Sequence, residues 1–122
     1  MDLTHLHAFT AAMQRKDLDA MFSHMADDVV LKTPLHTESF AGKRAMRPVV
    51  EALLAVVDRF EFREILQGSQ HVSAVFGVYV GSDVLDGIDL WRLNEAGEIQ
   101  EMTVFWRPLP TIVSVQAKLA HA

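Results

Sequence analysis

Leu85-Asp86-Gly87-Ile88-Asp89-Leu90-Trp91-Arg92-Leu93, followed by Asn94-Glu95-Ala96-Gly97 and by Ile99 to Arg107, is the stretch that decides the fold. A strand opening at Asp83 runs to Leu93. The next four residues make a turn in which Gly97 can take a positive φ, and a second strand returns from Ile99. Ile88 and Leu90 point one way while Leu85, Trp91 and Leu93 point the other, so the first strand is apolar on both faces. Such a strand belongs in the middle of a sheet covered on both sides.

Upstream the period changes. Phe60, Phe62, Glu64 and Leu66, then Val72, Ala74, Phe76, Val78 and Val80, alternate as strands do. Before them Met46, Val49, Leu53, Val57 and Phe60 recur every three or four residues, a helical stripe that contains Pro48. A proline is tolerated in a helix only in the first turn, so the helix either begins near Arg47 or kinks there. Val29 to Thr33 is a β-branched strand stopped by Pro34. Leu3, Leu6, Phe9 and Met13 mark a first helix. Leu18, Met21, Phe22 and Met25 mark a second, with Asp17 as its cap. Pro108 and Pro110 end the sheet, and the tail from Thr111 to Ala122 shows no pattern.

Helices first and a meander of strands after them mean α+β. At 122 residues the chain has the length of one domain, and folding buries roughly two thirds of its unfolded surface. Half the residues are hydrophobic, which excludes disorder as the main state. The longest apolar run, Ala52 to Val57, is far short of the ~18 residues that span a bilayer, and Met1-Asp2-Leu3 lacks the basic start of a leader. A cytoplasmic protein is expected, with no membrane partner. The absence of cysteine excludes disulfides, thiolate metal sites and cysteine nucleophiles, and a net charge of -5 argues against nucleic acid as a partner.

The order of elements and several strings resemble the nuclear transport factor 2-like superfamily, in its SnoaL-like branch of polyketide cyclase and ketosteroid isomerase-like proteins. The strings are F-T-A-A-M-Q-R-K-D-L-D-A-M-F-S-H-M-A-D-D-V-V, the glycine before the third helix, and L-D-G-I-D-L-W-R-L-N-E-A-G-E-I-Q-E-M-T-V-F-W-R-P. The likeness covers about residues 3–110 of a single domain, leaving 111–122 as a C-terminal tail. It implies a cystatin-like α+β barrel: a cone-shaped, strongly curved antiparallel or mixed sheet wrapped around three N-terminal helices, with an apolar pocket at its open end and usually a second subunit. In the isomerase motif the aspartate kept protonated by an apolar site falls on Asp89. An aromatic pocket residue falls on Trp106. The tyrosine donor is matched by Phe9 and the base aspartate by Thr33, so the base and one donor are absent and the isomerase reaction itself is not expected.

Asp89, set between Ile88 and Leu90, must be paired or neutral if buried; it either lines the pocket as an acid or is tied to an arginine at a solvated edge. Asp86, three residues earlier on a strand, must face the other way. With Thr33 unable to act as a base, His36 is the candidate in its place, since imidazole suits acid–base work near neutrality, and otherwise an exposed loop residue. Glu38 is more exposed still. Trp106, Phe9, Met25, Met21, Phe22 and Trp91 are candidate pocket walls or ordinary core. Tyr79 and His71 share a face with Ser73 that meets either the pocket or a dimer seam. Lys43, Arg44 and Arg47, at the wrong end of a helix dipole, suit an anion or a solvated face. His5 and His7 point to different sides of a helix, so no metal is expected, and no cofactor either.

The sum is a homodimer joined through its outer sheet face, with a pocket for a small hydrophobic molecule bearing a carbonyl or hydroxyl. Asp89 and His36 are the candidate catalytic residues, and Phe9, Thr33, Trp106, Met25 and Tyr79 the candidate substrate contacts. A cofactor-free isomerisation, cyclisation or dehydration fits this site; a non-catalytic ligand-binding or assembly module is the alternative.

Overall fold

The computed structural model describes residues 1–121. The elements are α1 (Thr4–Gln14), α2 (Leu18–Ser23), β1 (Met25–Lys32), β2 (Phe40–Ala41), α3 (Lys43–Val56), β3 (Arg59–Gln67), β4 (Val72–Val80), β5 (Asp83–Leu93), β6 (Ile99–Arg107) and α4 (Leu109–Ala120). The six strands form one curved, unclosed sheet in the order β2-β1-β6-β5-β4-β3. The pairing of β1 with β6 is parallel and the rest is antiparallel, so the sheet is mixed. It is α+β as the sequence predicts, though open at both edges where a barrel would close.

β5 sits in the middle, registered against β4 and β6 along its whole length. Leu85, Asp89 and Trp91 face inward and are completely buried, together with Ala74, Phe76 and Val78 of β4. The hydrophobic core lies between this concave face and α1, α2 and α3. The β5–β6 turn closes as expected: Gly97 has φ +80, its N–H donates to the Asn94 carbonyl (3.0 Å), and the Glu98 N–H donates to Asn94 Oδ1 (2.9 Å).

Several expectations need correction. The described residues hold four helices, because the tail is helical from Leu109 to Ala120. Pro110 stands in the first turn of α4, where its missing N–H has no partner to lose. Ile112, Val115 and Leu119, three and four apart, turn inward, and Ser114 Oγ (2.7 Å) and Lys118 Nζ (3.0 Å) both donate to Asp83. α3 does not start near Arg47; it begins at Lys43 behind Gly42, whose φ of +87 only glycine takes readily, and carries Pro48 within it. Met25 is a strand residue paired with Ile99, because α2 ends at Ser23. The Asp17 cap is present, its carboxylate accepting from the Ala20 N–H (3.1 Å).

Candidate active site

Between the concave face and the helices lies a cavity of about 360 Å³. That volume is at the small end for ligand sites. Its walls are apolar: Met13 and Met21 from α1 and α2, Val49 and Leu53 from α3, Phe60 and Phe76 from β3 and β4. Four polar side chains join them, namely Asp89, Thr33, His36 and Gln116.

Asp89 reaches the cavity because residues 85, 87, 89 and 91 share the inner face of β5. It is 0% exposed, and neither carboxylate oxygen has a hydrogen-bond partner. Desolvation with no cation to offset it pushes the carboxyl up to about 8. At neutral pH the group is therefore a neutral acid with an O–H to donate. Gly87 also serves the wall: a Cβ there would lie under 3.0 Å from three atoms of the Phe76 ring. Glycine lets that ring lie against the strand beside Asp89.

Thr33 and His36 form a pair at the cavity's edge. Thr33 Oγ1 and His36 Nδ1 are 2.6 Å apart, and the Leu35 N–H donates to the same Thr33 oxygen (3.1 Å). The His36 ring stands edge-on to Phe40 at 5.0 Å. When Nδ1 carries the proton and donates to Thr33, Nε2 is free to accept one; when the hydroxyl donates instead, Nε2 carries the proton. Thr33, itself no base, thus orients the imidazole that can be one.

The remaining expected contacts divide. Trp106 lines the cavity. Phe9 and Met25 do not: Phe9 is buried against Trp91 in an edge contact (6.1 Å), and Met25 is buried where β1 meets β6. Both are core. Tyr79 faces outward, because even-numbered residues of β4 are the inner ones. Its hydroxyl donates to Glu61 Oε1 (3.3 Å) and the Arg59 guanidinium covers its ring at 4.0 Å. Glu38 and His71 are exposed and off the cavity. Lys43 pairs with Asp27 (3.4 Å) and Arg47 with Asp19, and neither cation lines the cavity. Among the described residues no group of three or more His, Cys, Asp or Glu is placed to hold a metal.

Sequence reasoning missed the wall that α4 supplies through Gln116, Leu119 and Ala120. The spacing of Ile112, Val115 and Leu119 was the signal available.

The SnoaL-like domain family matches residues 6–102. The chain belongs to the SnoaL-like family. A steroid delta-isomerase from Pseudomonas aeruginosa shares the fold with a TM-score of 0.86 at 23% identity, over 96% of this chain and 87% of its own. A protein with a cystatin-like fold from Silicibacter pomeroyi DSS-3 gives 0.82 at 25% identity, over 98% and 87%. An epoxide hydrolase/cyclase-like enzyme of pyran ring formation in the polyether salinomycin gives 0.73 at 17%, over 84% and 88%. None of the curated proteins compared matches by sequence. These likenesses establish the fold, and one SnoaL-like fold serves many chemistries. Trp106 and all of α4 lie beyond the matched residues.

Proposed function

We propose that this SnoaL-like protein binds a compact hydrophobic molecule bearing a carbonyl or hydroxyl and moves a proton next to that group. The reaction class is cofactor-free isomerisation, cyclisation or dehydration. The observation that carries this reading is the fully buried, unpartnered Asp89 carboxyl on the wall of an apolar cavity. A buried carboxyl without a partner is a standing cost to the fold, and a ligand oxygen that accepts its proton offsets that cost. As charge develops on that oxygen in the transition state the hydrogen bond strengthens, which is what lowers a barrier.

His36 is the base in this reading. In the tautomer whose Nδ1–H donates to Thr33, the exposed His36 ring keeps Nε2 free, the arrangement a general base requires. Both residues stand on the walls of one cavity, the acid on β5 and the base in the loop after β1. Thr33 therefore takes a positioning role where the related isomerase motif has its aspartate. A second copy of the chain covers the outer sheet face, where apolar side chains at the centre are flanked by ion pairs of both signs.

Proton abstraction is measurable without the natural substrate. In heavy water the protein is expected to speed deuterium uptake at the α-carbon of indanone, followed by NMR. His36→Gln should cut the acceleration by about a hundredfold, the scale of general base catalysis. Asp89→Asn should cut it by at least about tenfold. Uptake within about twofold of wild type in both variants overturns the proposal.

A further inference from the structure

Among the described residues, besides the oxygens of Asp89, two side-chain atoms are buried without a partner: the indole nitrogens of Trp91 and Trp106. Their settings differ. Trp91 is fully buried, enclosed by the rings of Phe9 (6.1 Å) and Phe62 (6.5 Å), and does not line the cavity. Trp106 does line it. On the sheet, Asp89 pairs with Val104 and Gly87 with Trp106. Asp89 and Trp106 are thus diagonal neighbours on the concave face, with Cβ atoms roughly 7–8 Å apart in sheet geometry, within reach of one another's long side chains. The position directly across from Trp106 is a glycine, so nothing on that strand stands over the ring.

An indole N–H can only donate, and a carboxyl kept neutral by burial has one proton to give. Buried donors are almost always satisfied, so two of them left free on one cavity wall mark the place of an acceptor. We propose that Trp106 is the second hydrogen-bond donor of this site, its N–H and the Asp89 O–H meeting on one carbonyl oxygen, which makes the ligand class a compact apolar ketone. This rests on the ligand-binding reading above and narrows it. A carbonyl oxygen has two lone pairs and no proton, so it uses both donors. A hydroxyl that donates to Asp89 leaves the Asp89 proton unspent, an amine sets protons against the Trp106 N–H, and a hydrocarbon leaves both donors empty.

The chain has two tryptophans, so an isotope-labelled sample shows two indole N–H signals, and the one missing in Trp106→Phe belongs to Trp106. Adding indanone is expected to move the Trp106 signal downfield and leave that of Trp91 in place. Indane, the same skeleton without oxygen, is expected to produce no such shift. Trp106→Phe should weaken indanone about tenfold, which is about 1.4 kcal/mol, and indane within about twofold. Equal weakening of both compounds overturns the donor assignment. So does a Trp106 signal that stays put while the Met102 and Val104 methyl signals report indanone in the cavity. If indanone perturbs no cavity methyl at saturation, the ligand-binding reading falls, and the donor pair with it. The wild-type shifts carry the test even if Trp106→Phe folds poorly, because the signal can also be assigned through its bonded carbons.

Discussion

Asp86 and Asp89 are the same residue type on the same strand, three positions apart, and they live in opposite worlds. Asp86 lies on the outer face with half its side chain in water, held by Arg107 (3.1 Å) and Arg63 (3.6 Å). Asp89 lies on the inner face with no exposure, no cation and no hydrogen bond. Strand geometry alone separates them, since an odd spacing must send the two side chains to different faces. The outer aspartate is a surface ion-pair member like its neighbours Glu61 and Glu101, whose carboxyls the adjacent arginines hold below the ordinary range. The inner one has been turned by desolvation into a weak neutral acid. Chemistry here follows from the face of the sheet, more than from the identity of the residue.

The sharpest way to break that contrast is to remove the inner carboxyl. Between the ordinary carboxylate value of 3.8 and about 8, folded Asp89 keeps a proton that the unfolded chain has released. The native state then binds more protons, so stability falls as pH rises through this window, by up to about 1.4 kcal/mol per pH unit, and levels off above it. Asp89→Leu, which needs no partner, is expected to be more stable than wild type at pH 7.5, with the gap widening from pH 5 to 8. His24, whose ring is held low by burial and by His5 3.0 Å away, pulls the pH slope in the opposite direction, but equally in both proteins. Denaturant melts across pH settle the matter through the wild-type-minus-variant difference. A difference flat with pH would mean that Asp89 ionises freely and that the two faces are not so unlike.

The outer face is tested at its centre. Leu66, Ile88 and Phe105 are 47, 45 and 54% exposed across β3, β5 and β6, an apolar strip between the Asp86 ion pairs and those of Glu101 with Arg92 and Lys32. A patch like this, apolar within and of mixed charge at its margins, can pair with its own copy about a two-fold axis. Phe105→Glu is expected to raise the dimer dissociation constant by about thirtyfold, about 2 kcal/mol, read by sedimentation velocity. Asp89 lies behind the sheet from Phe105, so its pH signature should survive in the variant. Wild-type protein that stays monomeric at every concentration would sink the proposed pairing and leave the outer face without a partner.

How much of this was legible in the sequence depends on how local the signal is. Alternation in Val72–Val80 and Asp83–Leu93 is a two-residue pattern, and it sets Asp86 and Asp89 on opposite faces of one strand; it left open which face meets the cavity, and only the family resemblance turned Trp106 toward it. The same alternation held the answer for Tyr79, which the burial of Val78 and Val80 turns outward. What failed was depth and closure. Phe9 and Met25 do face inward, yet whether an inward side chain meets the cavity or the packing behind it depends on where the helices come to rest, a matter of long-range contacts. The helix from Leu109 was hidden by Pro108 and Pro110, which read as terminators and here stand before and within a helical first turn. The Thr33–His36 contact spans three residues, but it needs the loop conformation after Pro34, which no periodicity encodes.

The mildest perturbation should come from Asp86→Ala, and its mildness is the point. Arg63 keeps Glu61 (3.1 Å) and the Tyr79 hydroxyl (3.5 Å) when Asp86 is gone, and Arg107 is free to turn into water. Exposed pairs contribute about 0–1 kcal/mol each because water and side-chain entropy offset the attraction. The expected loss is under about 1 kcal/mol, shrinking further in 1 M salt, where the screening length falls to about 3 Å. Strand pairing tolerates the change, since Asp86 meets Gly77 and Arg107 through backbone bonds that alanine retains. A large, salt-insensitive loss in the isolated monomer would show that the outer aspartate also works out of reach of water. If the loss instead appears only where dimers form, water is being excluded from Asp86 by the second copy, and the two faces differ less in the assembly than in the single chain.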